Sequence, residues 1–363
     1  MFHFTPWVLF LWGSVLCVWG SYYGCLFFVA ISTGLLVLKY KKRRIFPMKK
    51  VLSLMLAAAM LLSVSVFCVS AEKTEFPFSL TTYMDMTVTF DHVPQRVIAA
   101  NTNAADQLYA MGLQDKIIGV CYKNSTINPE YQEMYDAAPV IAQKAATLEQ
   151  LVEAEPDFVY GRSSAFSEKN GTTHDKLTSY GIASLSSIEG YKLGADVEDV
   201  YTDFENLGRI FDMQDKANEI VDSMKQKIAD VQEAIKDTET VKVFVFDSLM
   251  DDGPYTCGNN FTAKLIRHAG GVNVFEDMEK TWSVVSWESV VDANPDVIII
   301  NDYGSTSLED KIEQLKSNPT LATIPAIAND RIYSITLCEV FASSMTANTI
   351  EKFAKDFHPE CFQ

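Results

Sequence analysis

Thr147-Leu148-Glu149-Gln150-Leu151-Val152-Glu153-Ala154-Glu155-Pro156-Asp157-Phe158-Val159-Tyr160 has a counterpart later in the chain, Ser286-Trp287-Glu288-Ser289-Val290-Val291-Asp292-Ala293-Asn294-Pro295-Asp296-Val297-Ile298-Ile299. Each copy reads as a capping Thr or Ser, a short amphipathic helix, a Pro-Asp turn and a buried apolar strand. Glu, Val, Ala, Pro and Asp stand in register, and Glu153 and Asp292 add a shared acidic position. A fainter echo precedes each copy. Val97-Ile98-Ala99-Ala100 and then Ala104 to Gly112 parallel Val243-Phe244-Val245-Phe246 and then Thr262 to Gly271. A strand–helix unit used twice implies two similar α/β lobes, each with a mostly parallel sheet.

Between the repeats the pattern turns helical. Val197 to Phe211 is amphipathic, and Gln214 to Lys236 places Ala217, Ile220, Val221, Met224, Ile228, Val231 and Ile235 on one face. A helix of that length spans roughly 35 Å, enough to run from one lobe to the other. Ligands of parallel sheets gather at the carboxyl ends of the strands, so two facing lobes would hold theirs in a cleft.

The first 71 residues read differently. They contain 7 of the 30 Lys+Arg and none of the 47 Asp+Glu, so the rest of the chain carries 23 basic against 47 acidic groups, a formal charge of −24. So acidic a body excludes binding to nucleic acid or to an anionic membrane through a general field. Trp7 to Leu38 has no charged residue and is long enough to span a bilayer, with the basic Lys39 to Arg44 behind it. Met48-Lys49-Lys50, the apolar Val51 to Val66 and Val69-Ser70-Ala71 form a second unit with the layout of a secretory signal, predicting a mature start at Glu72. Either Trp7 to Leu38 is a transmembrane helix or translation starts at Met48; in both cases the body lies outside the cytoplasm. Cys68 raises the question of lipidation, although Phe67 stands where that signal needs a small residue. The expected division is 1–47 an extension or transmembrane helix, 48–71 signal peptide, 72–212 N-terminal lobe, 213–236 connecting helix and 237–363 C-terminal lobe.

Thr87-Val88-Thr89-Phe90-Asp91-His92-Val93-Pro94-Gln95-Arg96-Val97-Ile98 resembles the opening hairpin and first strand of the extracytoplasmic binding proteins for iron–siderophores, haem and cobalamin that serve ABC importers. The resemblance continues through Leu108 to Leu113, Ile117 to Val120, Leu148 to Val159, Gly270 to Phe275, Ser286 to Ile300 and His358 to Phe362. It implies two Rossmann-like lobes joined by one rigid helix, with little hinge closure, a monomer that delivers its ligand to a permease dimer and its ATPase. It also implies that Glu149 and Glu288, one per lobe, dock against basic residues of the permease. From the residues alone, both are acids in a first helical turn, favoured there by the helix dipole, and expected to lie away from the strand ends that line the cleft.

Residues just after strands are the cleft candidates: Asn101, Thr102, Tyr122, Lys123, Arg162 and Ser163 in the N-lobe, and Tyr255, Trp282, Tyr303 and Glu339 in the C-lobe. Aromatic groups with a few polar ones suit a metal chelate or macrocycle. Arg162 is the candidate for an anionic carboxylate or catecholate, because its fork binds bidentately. The expected ligand is a ferric siderophore-like complex, with a corrinoid or haem as the alternative, and no cofactor is expected. Cys121, Cys257, Cys338 and Cys361 have no zinc-site spacing and no legible pairing. His92, His174, His268 and His358 fall in unrelated segments, which argues against a free metal ion as cargo. Enzyme motifs are absent. A membrane-anchored sensor of the same fold, or an enzyme using Asp251, Asp252 and Glu339, are the readings from other classes.

Overall fold

The computed structural model describes residues 8–12, 15–22, 25–31, 73–81, 86–123 and 125–362. They belong to two units, Met1–Val69 and Ser70–Gln363. The first contains three antiparallel strands, β1 (Val8–Trp12), β2 (Val15–Tyr22) and β3 (Cys25–Ile31). Over the described residues strands thus stand where a transmembrane helix was one of the two readings of Trp7 to Leu38. Its Val, Phe, Trp and Tyr favour strands. Among the described residues no helix is long and apolar enough to cross a membrane. The signal segment 48–71, with Cys68 and the cleavage site, lies outside the described residues.

The second unit opens with a hairpin, β4 (Phe78–Thr81) and β5 (Thr87–Phe90). The N-lobe follows with β6 (Val97–Ala99), α1 (Thr102–Ala110), β7 (Ile117–Cys121), α2 (Gln132–Ala137), β8 (Val140–Ala142), α3 (Leu148–Glu153), β9 (Phe158–Gly161), α4 (His174–Ser179) and β10 (Ala183–Ser186). Its five strands form a parallel sheet in the order β10-β9-β6-β7-β8. Helix α5 (Val197–Phe211) follows, and α6 (Gln214–Ile235) then leads into the C-lobe. The C-lobe contains β11 (Val241–Phe246), β12 (Ser248–Met250), β13 (Gly253–Cys257), α7 (Phe261–His268), β14 (Gly271–Asn273), β15 (Trp282–Val284), α8 (Trp287–Ala293), β16 (Val297–Asp302), α9 (Leu308–Lys316), α10 (Pro325–Ala328), β17 (Ile332–Thr336), α11 (Leu337–Val340) and α12 (Thr346–Phe357). Its main sheet is parallel, β14-β11-β16-β17, and β12-β13-β15 form an antiparallel side sheet.

The repeated stretch does the same structural work twice. Thr147 caps α3 by accepting from the Gln150 amide, and Ser286 caps α8 by accepting from the Ser289 amide. Asp157 accepts from the Gln95 and Arg96 amides at 2.6 and 2.9 Å, and Asp296 accepts from the Lys242 amide at 2.9 Å. Each Pro-Asp turn thus clamps the start of the neighbouring strand, and β9 lies against β6 as β16 lies against β11. Both faces of each sheet are covered, so the strands are apolar throughout rather than alternating. Val97, Ala99, Phe158, Val243, Val245 and Val297 point into a core shared by both lobes, while Ile98, Val159, Phe244 and Ile298 face separate outer layers.

Helix α6 joins that shared core over its whole length. Ala217, Val221, Met224, Ile228, Val231 and Ile235 are buried as the sequence predicts, and Ile220 is half-buried. A second set of contacts fixes the lobes at the base of the cleft, where α1 meets the segment after β17. Asn103 Nδ2 and Gln107 Nε2 both donate to the Ala342 carbonyl, at 3.2 and 3.1 Å. The Ser344 amide donates to Asp106 Oδ1 at 2.6 Å, the Cys338 thiol lies 3.7 Å from Asp106 Oδ2, and Asn128 Nδ2 donates to Ser344 Oγ at 3.1 Å.

Asp106 has no exposed surface. Burial raises its carboxyl from 3.8 to about 6, against the lowering effect of its hydrogen bonds to Ser344. An acid raised in the folded state contributes stability below its unfolded value that is lost as pH rises through the folded one. Unfolding free energy should therefore fall by roughly 1–2 kcal/mol between pH 5 and 8 through this group. Asp106→Asn keeps the Ser344 contact and removes the charge, so its denaturation midpoints should change less over that range. An unchanged slope in the variant would place the titration elsewhere.

Candidate functional site

Between the lobes lies a cleft of about 250 Å³, bounded by Arg162 and 189–195 on one side and by 259–262, Thr281, Trp282, Val340 and Phe341 on the other. The N-lobe wall comes from the segments that follow β9 and β10, at the carboxyl ends of those strands, where a parallel sheet is expected to present a ligand. On the C-lobe side Trp282 stacks on Tyr255, with ring centroids 5.7 Å apart. Strands β13 and β15 pair Tyr255 with Val284 and Cys257 with Trp282, which puts both aromatic rings on one face of the side sheet.

Arg162 is the centre of the cleft, in a role the sequence did not reveal. Its Nε and Nη2 donate to Glu189 Oε2 and Oε1 at 3.0 and 2.8 Å. Its guanidinium carbon lies 3.9 Å from the centre of the Phe341 ring, so it touches both lobes at once. The Glu189 side chain is 8% exposed and that of Arg162 23%. The backbone is held as closely. Asn101 Oδ1 accepts from the Arg162 amide at 2.8 Å, and Ser163 Oγ donates to the Gly190 carbonyl. Gly190 passes so near that a Cβ there would stand 2.9 Å from the Ser163 nitrogen. The fork expected to grip an anionic ligand is therefore already occupied by a carboxylate of the protein. Lys192, the other cation lining the cleft, donates to both oxygens of Asp199 at 2.7 and 2.9 Å.

Of the residues expected from the strand-end rule, Arg162 and Trp282 line the cleft, Asn101 and Tyr255 contact them, Ser163 lines the adjoining hollow, and the others have partners elsewhere. Thr102 Oγ1 bonds the Tyr122 carbonyl and the Tyr135 hydroxyl, and Lys123 Nζ donates to the Tyr135 and Asp136 carbonyls. These side chains brace α2 rather than a ligand. Tyr303 donates to both oxygens of buried Asp247, whose carbonyl, with those of Asn301 and Tyr303, receives the buried ammonium of Lys311. Glu339 closes a capping box on Thr336 and accepts from Lys352 at 2.8 Å, so it serves its own helix, and Asp251 and Asp252 lie exposed on a turn far from any such pairing. Glu189 and Phe341 were missed. Glu189 does follow a strand, β10, as the rule requires, but Phe341 is marked by nothing local.

Beside the cleft, and sharing Tyr191 with it, the N-lobe has a second hollow of about 500 Å³ lined by Met86, Ser163, Phe166, His174 and Ser186. His174 stacks on Phe166 at 4.2 Å, and its two ring nitrogens meet Ser184 Oγ and Ser186 Oγ at 2.7 and 3.1 Å. Burial lowers its pKa to about 4. The thiols of Cys121 and Cys257 are pushed up by burial to about 11 and about 12, and burial raises that of Cys338 as well, so all three stay protonated. Cys121, Cys257, Cys338 and Cys361 are free thiols. Among the described residues no group of three or more His, Cys, Asp or Glu is placed to hold a metal ion.

Glu149 and Glu288 are exposed in the first turns of α3 and α8. Their position corrects one expectation. In a parallel sheet a helix that follows a strand begins at that strand's carboxyl end, and α3 follows β8 with Gln150 Nε2 bonded to the Ile141 carbonyl at 3.3 Å. In the C-lobe only Val285 separates β15, which carries Trp282, from the Ser286 cap of α8. The two acids thus stand on the edge of each lobe where ligands gather, not away from it.

A sequence profile of the periplasmic binding protein family matches residues 97–336. An uncharacterized ABC transporter substrate-binding lipoprotein of Bacillus subtilis is 24% identical over 298 residues, covering 80% of this chain and 89% of its own length. A cobalamin-binding protein of Halobacterium salinarum is 26% identical over 227 residues, 62% of this chain and 58% of its own. Among solved structures, a periplasmic binding protein from Veillonella parvula superposes with a TM-score of 0.71 at 29% identity, covering 78% of this chain and 97% of its own.

The packing around His174 yields a direct test. A base whose pKa is depressed by folding contributes stability above its unfolded value of 6.5 and loses it as pH falls toward 4. The His174 ring resonances in an NMR titration should therefore stay constant from pH 8 down to about 5. A midpoint near 6.5 would show the ring in water rather than against Phe166.

Proposed function

The chain belongs to the periplasmic binding protein family, and from that premise we propose that it is the extracytoplasmic capture component of an ABC importer, binding a ferric siderophore-like chelate and presenting it to a permease. The observation that carries this reading is the fixed interlobe cleft, with the Trp282–Tyr255 stack on one wall and the Arg162–Glu189 pair on the other. Its small volume suits a compact chelate better than a broad macrocycle. A corrinoid is the second reading, favoured by the cobalamin-binding relative and by the adjoining hollow, which extends the available space. Neither reading calls for a reaction.

Docking follows from the placement of the two acids. Glu149 and Glu288 each offer an unburied carboxylate on the face where the ligand sits, so a permease with basic residues on its outer loops meets ligand and receptor on one surface. The hydrogen bonds around Glu149 that lower its pKa keep it charged.

Two experiments test these points. In a thermal-shift panel of a ferric tris-hydroxamate, haem and cyanocobalamin, a true ligand at 100 times its dissociation constant should add about 2.7 kcal/mol of stability. No response to any of them would remove the hydroxamate, haem and corrinoid readings. In cells, the Glu149→Ala/Glu288→Ala double variant should lose most uptake while its ligand dissociation constant stays within about twofold, since charge pairs across interfaces outweigh the few tenths of a kcal/mol lost from the helix ends. Normal uptake would reduce both glutamates to helix-terminal acids.

A further inference from the structure

We infer that the cleft selects a metal chelate whose outer shell carries no net negative charge, such as a neutral hydroxamate-type or amide-rich complex, and rejects polyanionic chelates. This inference rests on the reading of the cleft as a chelate site and narrows it by charge. Each cation lining the cleft is already neutralised by the protein. Arg162 is held bidentately by Glu189 and Lys192 by Asp199, so neither brings net positive charge to a ligand. The pairs are built in rather than incidental. Glu189 is almost fully buried, Arg162 is further held against the Phe341 ring, and the Gly190 turn packs onto the Arg162 backbone.

A multiply charged tris-catecholate, or a porphyrin with two carboxylates, would have to displace Glu189 from Arg162 or sit beside it. Displacement leaves a carboxylate with little access to water, and truncating or exposing one partner of such a pair is costly. Sitting beside it sets like charges within a few ångströms where water is partly excluded. The surrounding body, at −24 over residues 72–363, adds a field of the same sign. A neutral chelate meets none of these costs. It can lie on the Trp282–Tyr255 stack through its apolar edge and use the polar rim, Asn259 and Thr281, for its carbonyl and amide groups.

The test is equilibrium binding of two iron probes to the purified protein, a neutral ferric tris-hydroxamate and a ferric tris-catecholate, with cyanocobalamin as a neutral macrocycle. The wild-type protein should bind at least one neutral probe about a hundredfold or more tighter than the tris-catecholate. In Glu189→Gln the Arg162 charge is no longer cancelled, so the ratio should move toward the tris-catecholate by at least about tenfold. Should that variant fail to fold, the wild-type ratio and its dependence on ionic strength decide alone: binding of the neutral probe should be nearly insensitive to salt. Tighter binding of the tris-catecholate by the wild type, or a ratio unmoved by Glu189→Gln, would overturn the charge selection and leave the chelate reading standing. Failure of every probe would overturn both.

Discussion

The two lobes are held at one spacing by buried contacts at the base of the cleft, and the rest of the molecule depends on that spacing. Asn103, Asp106 and Gln107 of α1 use their side chains on the backbone of Ala342 and Ser344, deep in a seam that water does not reach. Polar groups in such a seam are costly to separate, because each would have to be left without its partner. Helix α6 reinforces the seam by burying one face along its length in a core that both lobes share. His268 of α7 adds a further tie, meeting Asp196 of the N-lobe at 2.7 Å. These contacts set the width of the cleft in the folded chain.

A fixed cleft makes the electrostatics of its walls decisive. Were the lobes free to close, Arg162 could change partners as they moved. Held as they are, the guanidinium lies between Glu189 of its own lobe and the Phe341 ring of the other, and both contacts persist in one geometry. Glu149 and Glu288 stand exposed, one on each lobe.

The architecture was legible wherever its cause was local. The Pro156-Asp157 and Pro295-Asp296 turns betray themselves by recurring, and the structure shows why: each Asp ties down the start of the neighbouring strand in its sheet. The buried face of α6 follows from its spacing. The site was legible only to the resolution of a rule about strand ends. That rule places a residue at an edge but does not say where its side chain turns, so Thr102 and Lys123 pointed away to brace α2. Phe341 reaches Arg162 across the lobes, and no local pattern encodes a contact between segments so far apart in the chain. In the leading segment, apolarity alone suggested a helix, while its aromatic and β-branched content settled on strands.

The most direct measurement is small-angle scattering of the protein with and without a saturating amount of whichever chelate stabilises it most. The seam and the α6 strut require the two curves to superimpose, with the radius of gyration unchanged within error. A clear contraction on binding would mean that the lobes close about a hinge, and that the contacts of Asp106 and Arg162 do not hold the cleft at one spacing.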